Sequence, residues 1–333
     1  MNTHELTNKN KPSSWTQMEL HSTDDWIWAL NKNEVKELET ALMMAKSQNS
    51  KWHKISIAEF PLPTLDGKLK SLAYKLEYGR GIQLIRGIPV ERYELDDLKR
   101  LYFGLCQHIG MPVIQNGDVG FMRKIRDSGG SRVESSRKLN WHNDRSDLVA
   151  LLCLQNAAKG GTSRVVSATT IYNLMLNQRP ELVKILFENF YRSSIGDEVG
   201  TDAPYYMLPV YMIKDNVLTS DLSRVYIDQA QSFPEVPRLT KLQIEALNMI
   251  NILAEENCYE YRIEPGEIQI LNNHLTYHAR TAYTDNKFTG QERFLLRIWL
   301  SNPASRLLPK IQASLWSSGE LTNSRLSKFS LPS

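Results

Sequence analysis

The chain has 333 residues, 40 of them basic and 37 acidic, for a formal net charge of +3, and 41% of its residues are apolar. That length supports one large domain or two small ones around a substantial core, and the composition is that of a soluble globular protein. Balanced charge without a basic block or stripe argues against nucleic acid as the main partner, and no apolar run reaches the ~18 residues that span a bilayer.

In chain order, residues 1–24 are polar, lack the apolar centre of a signal peptide, and are expected to form a loose tail ahead of one domain over 25–333. "NEVKELETALMMAK" places Val35, Leu38, Leu42 and Ala45 at helical spacing, with Asn33 as N-cap and Glu34 in the first turn. "GRGIQLIRGIPV" reads as a short buried strand ended by Gly87 and Pro89. "LDDLKRLYFGLCQHIG" is a second amphipathic helix, with Asp96 as cap, Leu98, Leu101, Leu105 and Ile109 on one face, and Gly110 as stop. Residues 116–140 are rich in Gly, Ser and charge and run straight into "NWHNDRSD"; such a connection is either a lid or a surface excursion.

Short strand-like pieces follow: "LVALLCLQ", "SRVVSA", "VYMI", "NVLTS", "YEYRIEP", "EIQILNN" and "RFLLRIWLS". Helices interrupt them at "RPELVKILFENF" and at "TKLQIEALNMINILAEE", which opens on the capping pair Thr240 and Gln243. The pattern predicts a mainly β fold, an antiparallel barrel or double-sheet jelly roll with helices packed outside. No repeat, glycine-rich phosphate loop or alternating strand–helix series is present. A Ser-rich tail is expected from about residue 303. Cys106, Cys153 and Cys258 are odd in number and lie in apolar stretches, which reads as reduced core residues of a cytoplasmic protein.

The chemistry concentrates in two places. In a strand, residues two apart share a face, roughly 6.5 Å between Cα atoms, so His142 and Asp144 are expected to aim at one point. Alone, an H-x-D pair is as easily two polar residues at a strand entrance. "EPGEIQILNNHLTYHARTAY" then delivers His274 and His278, and "RFLLRIWLS" alternates Arg293, Leu295, Arg297 and Trp299 with Phe294, Leu296, Ile298 and Leu300. Arginines on a strand whose other face is apolar line either solvent or an anion-binding cavity. Two imidazoles and one carboxylate suit iron and leave coordination positions free.

"WHNDRSD", "GGTSRVVSA", "LNNHLTYHARTAYTD" and "RFLLRIWLS", in that order over roughly residues 80–302, resemble the taurine/2,4-dichlorophenoxyacetate dioxygenase (TauD/TfdA) family of Fe(II)- and 2-oxoglutarate-dependent oxygenases. The resemblance implies a double-stranded β-helix, a distorted, cupin-like jelly roll. It also implies Fe(II), O2 and 2-oxoglutarate as cofactors, and hydroxylation of a small molecule with release of succinate and CO2. Residue by residue, it places the metal ligands on His142, Asp144 and His278, leaving His274 as a neighbour. The 2-oxoglutarate anchor falls on Arg293, with Arg297 second in the R-x-x-x-R pair. The assisting hydroxyl falls on Ser163, or on Thr162 if the register shifts, since "GGTS" stands where the family has G-G-x-T.

Desaturation, epoxidation or cyclisation would use the same cofactors, whereas the carboxylate of Asp144 disfavours halogenation. Gln115 and Asn116 fall where family members often meet substrate, and Tyr205, Tyr206, Arg224 and Tyr226 are further candidates to line the pocket. The tyrosines could equally be core residues with satisfied hydroxyls, and Arg224 a surface ion pair. The remote alternatives are a zinc hydrolase, which leaves Arg293 and the "GGTS" segment without a role, and a non-catalytic ligand-binding member. The expected partner is a small molecule, with no nucleic acid or membrane involved and a homo-oligomer possible.

Overall fold

The computed structural model describes residues 12–115, 120–130, 132–195 and 203–316. Two β-sheets face each other. The larger runs Ile27–Ala29, Ile82–Arg86, Ile268–Asn272, Leu148–Gln155, Phe294–Ser301 and Met111–Val113, with Met122–Ile125 also pairing along Phe294–Ser301. The smaller runs Tyr259–Tyr261, Ser163–Ser167, Thr276–Arg280 and Leu139–His142. All pairings in these two sheets are antiparallel except Ile27–Ala29 with Ile82–Arg86. The chain crosses between sheets from Leu148–Gln155 to Ser163–Ser167, and again from Tyr259–Tyr261 through Ile268–Asn272 and Thr276–Arg280 to Phe294–Ser301. That winding is the double-stranded β-helix, and it agrees with the fold that the strand pattern predicts.

Alternation decides what each strand offers to each side. Leu148, Ala150, Leu152, Ile268, Ile270, Leu296, Ile298 and Leu300 turn outward, into one core with the helices Lys32–Ser47, Asp66–Tyr78 and Leu95–Gln107. Trp141, Val166, Tyr277 and Ala279 turn outward from the smaller sheet, onto Ala168–Gln178, Pro180–Leu186 and Lys241–Asn257. Between the sheets, Val149, Val165, Leu271 and Trp299 join Trp15 and Trp26 in an apolar plug. Cys153, Leu295, Ile125 and Ile263 form a second apolar cluster, and the polar inward positions beside it make the site.

Several local expectations change. The first long helix is capped by Asn31 rather than Asn33: Asn31 Oδ1 accepts from the Glu34 amide at 3.1 Å, and the Glu34 carboxylate accepts from the Asn31 amide at 2.8 Å. Asp96 lies inside the first turn of Leu95–Gln107, where a carboxylate favours the helix dipole, and Glu94 occupies the cap without a side-chain bond. Thr240 and Gln243 form the expected capping box. Asp66–Tyr78 carries no clear sequence signal: its apolar positions sit among Pro63, Gly67 and three lysines between 68 and 75, and Leu65, at the cap, makes no side-chain bond. Residues 12–24 are not loose: Trp15 and Leu20 are buried, and Trp15 Nε1 donates to the Arg80 carbonyl at 2.8 Å. Beyond 303, Leu308, Ala313 and Trp316 are buried in the same way. All three cysteines are free and buried.

Candidate active site

The smaller sheet pairs His278 with His142 across two antiparallel strands, and their rings lie 4.2 Å apart between centroids. His142 is the last residue of its strand, so Asp144 does not reach the site by strand alternation. It stands on a turn held by amides instead. Asn143 bridges to Leu222 and Asn273, Asn273 Oδ1 accepts from the Asp144 amide at 3.1 Å, and Asn273 Nδ2 donates to the Ser146 carbonyl at 2.9 Å. Asn273, the second residue of the "NN" before His274, therefore shapes the turn that carries Asp144, a role that sequence reading missed.

One donor atom from each of His142, Asp144 and His278 lies within 4.8 Å of the others, and all three residues are buried. His142 Nδ1 donates to the Asn140 carbonyl at 2.8 Å, which fixes the tautomer and leaves Nε2 with a free lone pair. His278 Nε2 lies 4.0 Å from Asp144 Oδ2, and its Nδ1 has no partner. Burial, with the second imidazole nearby, holds His142 down at about 3, and burial lowers His278 too. Burial alone would raise Asp144, but Arg297 and then the two imidazoles more than offset it and leave it at about 2. Two neutral imidazoles and one carboxylate are the donor set that a divalent iron takes.

The two arginines of the last strand do different work. Arg297 Nη1 donates to Asp144 Oδ1 at 3.0 Å, and its Nε donates to Gln115 Oε1 at 2.8 Å. Gln115 returns a bond from Nε2 to the Arg297 carbonyl at 3.0 Å. Gln115, expected near substrate, is thus spent on Arg297, and Asn116 lies outside the described residues. Arg293 is only 6% exposed, makes no ion pair among the described residues, and leaves Nη1 without a partner. Burial, then the neighbouring Arg280, lowers its pKa to about 10. A buried guanidinium without a counter-ion is costly, and its fork geometry suits a carboxylate.

The "GGTS" segment explains how Arg293 fits. Gly161 has φ +75°, and a Cβ there would come within 3.1 Å of Arg293 Cδ and Nε. Ser163 lines the same narrow cavity as the triad and Arg293, and its hydroxyl donates to Gln269 Oε1 at 2.6 Å. Gln269, only 1% exposed with Nε2 unpartnered, and Arg280 also line it; neither drew attention in the sequence. Parity on Ile268–Asn272 and Thr276–Arg280 would have found both. Thr162 is not among the lining residues; its amide donates to the Thr281 hydroxyl and its carbonyl accepts from the Thr281 amide.

The remaining candidates separate. Arg145, directly after Asp144, lies over the Tyr206 ring at 4.9 Å and donates to its hydroxyl. Tyr226 is buried under Arg132, 4.4 Å from its ring centroid. Tyr205 instead meets Tyr191 edge-on and Phe233 at a tilt, and Arg224 pairs with Asp228 at 2.6 Å while lining a vestibule of about 500 Å³ that reaches His142. His274 is a structural neighbour: Nε2 meets Asp147 at 3.0 Å, Nδ1 meets Thr219 at 3.1 Å, and the ring stacks on Trp316.

A jelly roll that brings such a triad and such an arginine to one cavity has the architecture of the Fe(II)- and 2-oxoglutarate-dependent oxygenases, and the chain is a dioxygenase of that class. Residues 46–299 match the model of the taurine catabolism dioxygenase TauD, TfdA family, and the chain belongs to that family. It is 28% identical over 310 residues to FR-33289 synthase of Streptomyces rubellomurinus, covering 89% of this chain and 91% of that one. It is 27% identical over 310 residues to the taurine hydroxylase-like protein SAT17 of Stachybotrys chartarum, covering 87% and 78%. In fold it is similar to asparagine oxygenase in complex with Fe(II), hydroxyasparagine and succinate, at a TM-score of 0.66 and 16% identity over 83% of this chain and 94% of that one. It is likewise similar to the non-heme iron oxygenase OrfP with Fe and alpha-ketoglutaric acid, at 0.62 and 17% over 88% and 98%.

Proposed function

We propose that the chain hydroxylates a C–H bond of a small molecule, with His142, Asp144 and His278 holding Fe(II) and with Arg293 receiving the distal carboxylate of 2-oxoglutarate beside Ser163. The observation that carries this reading is the meeting, in one cavity, of a neutral-imidazole and carboxylate triad with a buried arginine that lacks a counter-ion. When bound, Fe(II) with O2 and 2-oxoglutarate supplies the oxidising chemistry, giving succinate and CO2 and placing one oxygen atom on the substrate. The chain's own residues orient and exclude. Asn140 fixes the His142 tautomer, Gln115 and Arg297 hold Asp144 ionised, and Val133, Leu151 and Ile263 keep the cavity dry, where a charge-assisted bond to Arg293 is stronger than at the surface.

Substrate would enter through the vestibule beside His142, where Arg132, Arg137, Lys138 and Arg224 outnumber the one carboxylate, Asp127. That balance favours a small anionic molecule such as an amino or carboxylic acid. Asparagine oxygenase and OrfP, solved with hydroxyasparagine and hydroxyarginine, make amino acids the first compounds to try. The test incubates purified protein with Fe(II), ascorbate, O2 and 2-oxoglutarate, with and without pooled metabolites, and measures succinate. Succinate that rises with a substrate pool and vanishes with chelator is expected. Firm zinc binding with no iron uptake and no succinate would favour a hydrolase instead.

A further inference from the structure

Arg280 is the cavity's second unmatched cation. It lies two residues after His278 on Thr276–Arg280, so alternation turns it inward on the same face. The side chain is 5% exposed and makes no ion pair among the described residues. Its Nη2 donates to the carbonyls of Ser135 (2.7 Å) and Arg137, while Nε and Nη1 have no partner. Arg280 and Arg293 both line the cavity, and both guanidinium carbons lie within 5.4 Å of the centroid of one ring, Tyr283. Gln269 adds an unpartnered Nε2 to the same wall. Asp127 and Asp285 act on these two cations only from a distance, so two buried like charges on one cavity wall, with N–H groups unused, favour an anion between them.

We propose that Arg280 is a second binding residue for the distal carboxylate of the co-substrate, and that the carboxylate, by fixing this side chain, steadies the tie it already makes to the main chain at 135–137 over the cavity. The inference rests on the reading of the cavity as the 2-oxoglutarate site. One guanidinium then serves two ends: Nη2 holds the covering segment, and Nε and Nη1 face the anion. The Tyr283 amide strengthens the link, donating to the Ser136 carbonyl at 2.9 Å. Val133, in the same segment, already forms part of the cavity wall. The co-substrate's far end thereby selects a dianionic 2-oxo acid and closes the site behind it.

The test compares 2-oxoglutarate with pyruvate, which keeps the 2-oxo acid end and lacks the distal carboxylate, on the anaerobic Fe(II)-loaded protein. Arg280→Gln should weaken 2-oxoglutarate at least about tenfold, the weight of one charge-assisted bond, while changing pyruvate and iron affinity little. In the unmutated protein, 2-oxoglutarate but not pyruvate should slow amide exchange across 132–138, which decides the matter even if the variant does not fold. Unchanged 2-oxoglutarate affinity in Arg280→Gln, or equal protection by both acids, would overturn the proposal. Failure of the unmutated protein to bind 2-oxoglutarate at all is a different pattern, and it would remove the parent reading together with this one.

Discussion

Two histidines four residues apart, His274 and His278, sit in one motif and are both buried, yet their surroundings are opposite. Around His274 every ring nitrogen is matched, to Asp147 and Thr219, and Trp316 covers the ring face. Around His278 one nitrogen has no partner and the other looks towards Asp144. The arginines repeat the contrast, with Arg297 bonded to Asp144 and Gln115 and Arg293 leaving Nη1 unused. Buried polar groups are nearly always paired, so unmatched capacity that converges on one cavity, unlike isolated cases such as the Tyr102 and Tyr211 hydroxyls, marks a place for a ligand.

The largest effect that would break this comparison concerns Asp144. Asp144→Ala should reduce substrate-dependent succinate formation by about a hundredfold or more, because the metal loses its anionic ligand. His274→Leu should instead retain turnover and lose about 1–3 kcal/mol of stability, as Asp147 Oδ1 loses its bond to the imidazole while Oδ2 keeps the Asn302 amide; urea denaturation and initial rates on both variants separate the two. Next come the arginines. Arg293→Ala should raise the 2-oxoglutarate Kd by about a hundredfold, while Arg297→Leu should chiefly weaken iron, by about 10–100-fold, through a loosened Asp144. Anaerobic titrations with each ligand read this out, and identical profiles for both variants would erase the distinction.

Acid provides a third, smaller effect. The folded, metal-free protein keeps His142 neutral down to about 3 and lowers His278 in the same direction, whereas the unfolded chain protonates both below ~6.5. The unfolded state therefore binds more protons, and stability falls as pH drops from ~6.5 towards about 3 for His142, by at most about 1.4 kcal/mol per pH unit, with a loss of the same sign from His278. Urea midpoints in EDTA between pH 7.5 and 5.5 should decline, and His142→Gln should flatten the slope; an unchanged slope in that variant would contradict the assignment. The subtlest probe is Gly161→Ala, whose methyl would press on Arg293 and strain a φ of +75°. It should weaken 2-oxoglutarate by about tenfold and leave iron binding intact.

Much of this contrast was legible in the chain. The order H-x-D, G-G-T-S, H-A-R and R-x-x-x-R, with the strand pattern around it, points to the fold, the triad and Arg293. Which histidine is matched was not readable from local pattern, because Asp147, Thr219 and Trp316 come from three separate segments. Gln115 misled for a related reason: its position near the site was sound, but its carboxamide is consumed by Arg297, 182 residues away. Arg280 and Gln269 were readable by strand parity once the inward face was known. Asp144 reached the site by a turn pinned through Asn143 and Asn273, not by the strand alternation that first drew attention to it.

The most direct measurement of the central claim is an anaerobic Fe(II) titration of the unmutated protein, His278→Ala and His274→Leu side by side. The account predicts one iron per chain in the unmutated protein and in His274→Leu, and binding weakened by about a hundredfold or more in His278→Ala. Iron retained by His278→Ala and lost from a folded His274→Leu would contradict it.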